Sequence, residues 1–102
     1  MSNAIASTIL GQLGGNRFRA MTGAKEFVST ERGLRFKLPR GFAKNSINFV
    51  HIQLTEADLY DVGFYSEARG GLSLVERAAH EGVYADALRQ LFTAETGLET
   101  SL

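Results

Sequence analysis

The residues with the clearest chemical potential are cations, and they crowd into one stretch. Residues 14–44 hold Arg17, Arg19, Lys25, Arg32, Arg35, Lys37, Arg40 and Lys44, against only Glu26 and Glu31. Guanidinium and ammonium groups at that density suit a polyanion, because each phosphate they neutralise releases condensed counterions. Two segments, 17–22 and 34–38, alternate charged with apolar side chains, the period-two pattern of strands with one wet face. In a common sheet, Arg17, Arg19, Arg35 and Lys37 would project from a single surface. Phe42 lies in a basic loop between Arg40 and Lys44, where it would either stack on an unpaired base or anchor the loop. Phe18 and Phe36 alternate away from the cations and are expected in the core.

Other chemistries have less to work with. The chain has no cysteine, which excludes disulfides, thiolate metal sites and cysteine nucleophiles. Its two histidines, His51 and His80, lack any paired spacing, so no metal site is expected. His51 reads as a partly buried strand residue and His80 as a solvated neighbour of Glu81. No GxSxG elbow frames a serine, and Glu56, Asp58 and Asp61 read as capping and solubility charges near a turn. Gly11-x-x-Gly14, Thr22-Gly23-Ala24-Lys25 and residues 32–36 share letters with the KH clamp, the Walker loop and an RNA-stacking strand. None has the flanking elements those motifs need. No catalytic residue, cofactor or small-molecule substrate is expected, and the protein reads as non-enzymatic.

The elements that must position the cations follow from periodicity. Residues 4–13 space Ile5, Ile9 and Leu13 four apart and end at Gly14-Gly15, as a short helix does. Short strands are expected at 17–22, 26–29 and 34–38, with Pro39 marking a strand end. Residues 47–54 form the strongest strand, with Val50, Ile52 and Leu54 on one face and Ile47, Phe49, His51 and Gln53 on the other. Thr55-x-x-Asp58 resembles a capping box and predicts a helical turn through Tyr60. Strands at 61–67 and 72–80 are joined through Arg69-Gly70-Gly71. Tyr84, Leu88, Leu91 and Phe92 then fall on one stripe of an amphipathic helix that Gly82 opens and Gly97 closes. The whole is an α+β domain: an antiparallel sheet of about five to six strands, with the C-terminal helix packed on one face.

At 102 residues the chain has room for one core and is expected to be a single domain. No apolar run is long enough to span a membrane. The first residues lack a basic n-region, so no secretory signal is expected, and a cytoplasmic location fits the absence of cysteine. A net charge of zero conceals an asymmetry: residues 1–50 carry eight Lys/Arg and two Asp/Glu, while residues 51–102 carry three and nine. Such a split suits an anionic partner for the basic half, or neutralisation of one half by the other within the fold or across a dimer.

The motifs GGNRF, MTGAK, LRFKLPR, LTEADLYDV and GVYADALRQLFTAETGL, spread over residues 14–100, resemble a group of small uncharacterised proteins of phages, prophages and bacterial mobile elements. In architecture, strands followed by a terminal helix are similar to the single-stranded-DNA-binding domain of positive cofactor four. That likeness implies a basic sheet gripping single strands and a dimer formed through the terminal helix. The leading expectation is a small protein binding single-stranded nucleic acid, DNA in the first instance, through Arg17, Arg19, Arg35, Lys37, Arg40, Phe42 and Lys44. A homodimer would use Tyr84, Leu88, Leu91 and Phe92. The alternative is a self-associating assembly module or protein–protein adaptor.

Overall fold

Ile9 and Leu13 recur at helical spacing in the first element, and both are fully buried in α1 (Ala4–Leu13). In the computed structural model, which describes residues 4–68 and 73–100, this helix packs on a strand of the sheet and on the C-terminal helix.

The segment expected to be the first strand is instead a helix, α2 (Gly15–Thr22). Its buried residues, Phe18 and Thr22, lie four apart, which is the helical period and not the period of two. The Thr22 hydroxyl donates to the Phe18 carbonyl at 2.8 Å and accepts from the Ala24 N–H at 3.1 Å. Gly23 then takes the left-handed conformation (φ 73°) that closes a helix, its N–H donating to the Arg19 carbonyl. The cation–apolar alternation that suggests a strand is a coincidence of composition over six residues.

The strands are β1 (Lys25–Ser29), β2 (Gly33–Lys37), β3 (Phe49–Leu54), β4 (Tyr60–Glu67) and β5 (Leu74–Val83). They form one antiparallel sheet in the order β1-β2-β3-β4-β5, so every strand pairs with its neighbour in sequence. Five of the six expected strands are present: 26–29, 34–38, 47–54 and 61–67 fall on β1 to β4, and 72–80 falls on β5 from Leu74 on. The expected join Arg69-Gly70-Gly71, with Leu72, lies outside the described residues. β5 runs on to Val83, and Gly82 sits at an irregularity in the β4–β5 pairing and does not open a helix. The helical turn expected through Tyr60 is a tight non-helical turn. Thr55 Oγ1 caps the N–H groups of Ala57 and Leu59, the Thr55 N–H donates to the Leu59 carbonyl, and Tyr60 begins β4.

A single turn of 3₁₀ helix (Ala85–Ala87) leads into α3 (Leu88–Thr96), which Gly97 closes as the glycine spacing predicts. Phe36 on β2 is the centre of the core. Phe18 of α2 meets it edge-on at 5.5 Å, Phe27 of β1 lies at 5.2 Å, and Phe92 of α3 at 6.3 Å. The helices therefore cover the face that carries Leu34, Phe36, Val50, Ile52, Val62 and Phe64, all buried. His80 also belongs to this side, its Nε2 lying 2.7 Å from Glu95 Oε2 of α3. It is not a solvated partner of Glu81.

Candidate nucleic-acid interface

Because side chains alternate along a strand, burying one face of the sheet fixes what stands on the other. Strand register arranges that open face in rows. The first row reads Lys37, Phe49, Tyr65 and Glu76 from β2 to β5. The second reads Arg35, His51, Gly63 and Ala79, and the third Gly33, Gln53 and Asp61. The first two rows thus start on a cation, and the first ends on a carboxylate after crossing two rings.

Those rings, Phe49 and Tyr65, are half-buried and meet edge-on, with centroids 6.0 Å apart and planes at 74°. Tyr65 also folds down over Gly63, where any Cβ would run into its ring. Glycine at that position makes space for the tyrosine to lie along the sheet.

The end of the sheet beside this pair is held by Asn48. Its backbone accepts from the Leu38 N–H and donates to the Tyr65 carbonyl, both at 2.9 Å. Its side chain accepts from the Glu67 N–H at 2.7 Å and donates to the Glu67 carbonyl at 3.1 Å. Arg40 Nη2 donates to that same carbonyl at 3.0 Å. Glu67 is thereby fixed where its Oε1 takes Lys37 Nζ at 3.1 Å, with Glu26 Oε1 at 3.7 Å on another side. The hydrogen bond that Lys37 donates to Glu67, then the charge of Glu26, push the Lys37 pKa above the usual lysine value. A cleft of about 400 Å³ opens here, lined by Lys25, Lys37, Arg40 and Asn48 together with the two glutamates. Lys25, Arg35 and Arg40 enter no ion pair among the described residues.

His51 stands between Arg35 and Gly63. Burial, and then the Arg35 charge, hold its pKa below the usual imidazole range, so it is neutral near pH 7. Its Nε2 is buried with no hydrogen-bond partner.

The structure divides the expected site residues. Arg35 and Lys37 stand on the open face, and Arg40 joins Lys37 at the cleft. Arg17 and Arg19 ride on α2, on the covered side of the sheet, with the Arg19 guanidinium 5.2 Å from the Phe27 ring centroid. The expected four-cation surface is therefore split in two, because α2 is a helix. Phe42 is 61% exposed in the loop after β2. The Lys44 stem lies against Gly97, which puts a cation at the C-terminal end of α3, where the helix dipole favours one. Of the proposed dimer stripe, Leu88 and Phe92 are buried by the protein's own core and Leu91 is half-buried, leaving Tyr84 exposed. Phe49, Tyr65, His51 and Gln53 were not foreseen as site residues.

No helix among the described residues is long and apolar enough to cross a membrane, and no group of three potential metal-ligating side chains occurs among them. No family model, curated protein or solved structure matches the chain.

Proposed function

We propose that the open sheet face binds single-stranded nucleic acid, DNA in the first instance, with bases on Phe49 and Tyr65 and phosphates along Lys25, Arg35 and Arg40. The row Lys37–Phe49–Tyr65 carries this reading: two rings beside a basic edge, on the face that no helix covers. Base faces are available to such rings only when unpaired, which favours single strands. Lys37, already held by Glu67 and Glu26, orders the basic edge; the unpaired Lys25, Arg35 and Arg40 supply the phosphate contacts. The meander supports this division, because strands laid down in chain order keep the basic first half and the acidic second half on separate sides of the sheet.

Titration of a labelled dT oligonucleotide over a salt series tests the proposal. Three phosphate contacts on a single strand give a log–log slope of about −2. Reversing Arg35 and Arg40 to Glu removes binding, whereas reversing Arg17 and Arg19 on the far side leaves most of it. Absence of measurable affinity at low salt overturns the proposal.

Self-association is a second reading, favoured by β5. Three of the five large apolar side chains exposed among the described residues, Leu74, Val75 and Tyr84, lie on or beside this edge strand. Sedimentation showing a monomer through the micromolar range excludes it.

A further inference from the structure

The acidic side of the open face has a use if bases, not phosphates, lie over it. Next to the Phe49–Tyr65 pair is a cleft of about 190 Å³ lined by His51, Gln53, Asp61, Gly63, Tyr65 and Glu81. That is below the ~300 Å³ at which pockets for whole ligands begin, and suits one planar ring system rather than a nucleotide. A strand whose phosphates follow the cations of β1 and β2 directs its bases across the rows toward β4 and β5. A base stacked on the rings then presents its edge to this cleft.

The groups waiting there are mostly acceptors. Asp61 Oδ1 receives the Gly82 N–H at 3.3 Å, and the Glu81 carboxylate enters no hydrogen bond or ion pair among the described residues. The Gln53 amide is exposed and both donates and accepts. Guanine is the base whose Watson–Crick edge offers an adjacent N1–H and N2–H₂, a pair of donors that one carboxylate accepts in parallel, while its O6 takes a donor from Gln53. Adenine and cytosine offer one exocyclic amine next to a ring acceptor, which a carboxylate repels. Thymine offers a single N–H between two carbonyls.

We infer that the cleft of His51, Gln53, Asp61 and Glu81 recognises the Watson–Crick edge of one unpaired guanine. The inference rests on the nucleic-acid reading above. His51 lines the same cleft, its Nε2 buried without a hydrogen-bond partner, and Tyr65 lies over the facing Gly63.

The test compares dT12 with the same oligonucleotide carrying one central dG, dA, dC or deoxyinosine. The dG oligonucleotide binds about tenfold more tightly than dT12, the discrimination expected of one bidentate contact. Deoxyinosine, which lacks the N2 amine, loses most of that gain, and so does the double variant Asp61→Asn, Glu81→Gln against dG. Equal binding of dG, deoxyinosine and dT12 by the wild-type protein overturns the guanine site while leaving single-strand binding standing. A lack of affinity for every oligonucleotide overturns both. The inosine comparison uses the wild-type protein alone, so it decides the matter even if the double variant fails to fold.

Discussion

The two faces of this sheet are made from the same strands, residue by alternate residue, yet they answer to different physics. On the covered face Phe36 touches rings from two helices and a neighbouring strand and is fully buried. On the open face Phe49 touches Tyr65 across one ladder and remains partly exposed to water. One aromatic side chain is fixed by packing from every side; the other lies between Lys37 and Tyr65 in its row, with a single ring partner. The contrast teaches where an aromatic residue can be spared for binding.

Substitutions should break along that line. Phe36→Ala leaves a cavity under α2 and α3 and is expected to cost about 3–5 kcal/mol, measured by urea unfolding. Phe49→Ala removes one cross-strand pair and should cost no more than ~1 kcal/mol of stability. The same variant should lose ~1–3 kcal/mol of oligonucleotide affinity, the worth of one stacked base. A Phe49→Ala protein that unfolds as readily as Phe36→Ala would mean that the open-face rings serve the fold alone.

The smallest effect concerns pH. His51 is held neutral in the fold, so its pKa lies below the value near 6.5 that it has when unfolded. Its contribution is complete above the unfolded value and is lost as pH falls through the folded one, because the unfolded chain then binds the extra proton. Stability should therefore decline as pH falls below about 6.5, and His51→Gln should flatten part of that decline. An identical pH profile for the variant would place the dependence on other groups.

How far the sequence could foretell these faces is clearest at two matching segments. Phe18-x-Ala20-x-Thr22-Gly23 and Phe92-x-Ala94-x-Thr96-Gly97 share a pattern, and both close a helix in the same way. In each, the threonine hydroxyl donates to the phenylalanine carbonyl four residues back and accepts from the N–H two residues on. The second copy reads as a helix end because a long apolar stripe precedes it. The first is preceded by two glycines and carries Arg17 and Arg19 at an interval of two, so its alternation imitates a strand. The strands themselves were legible, since alternation in 34–38 sets Arg35 and Lys37 on the wet face and alternation in 47–54 groups Phe49 with His51 on one side. Their grouping into rows was not, because Phe49 meets Tyr65 only through the β3–β4 register, which depends on a turn and a ladder and not on either segment alone. The signal that was present is Phe49 itself, an aromatic residue on the polar side of a strand.

The order of the strands also bears on how the molecule comes together. Each pairing in the sheet joins consecutive segments, so hairpins can form one after another without closing long loops, at little entropic cost. Contacts that span the chain join the N-terminal helices to α3, among them Phe18 with Phe92, whose rings lie 5.1 Å apart. Folding should then reach its slow step when these distant helices dock over Phe36, and mutations at Phe18 or Phe92 should act on the rate of that closure more than changes in any single hairpin.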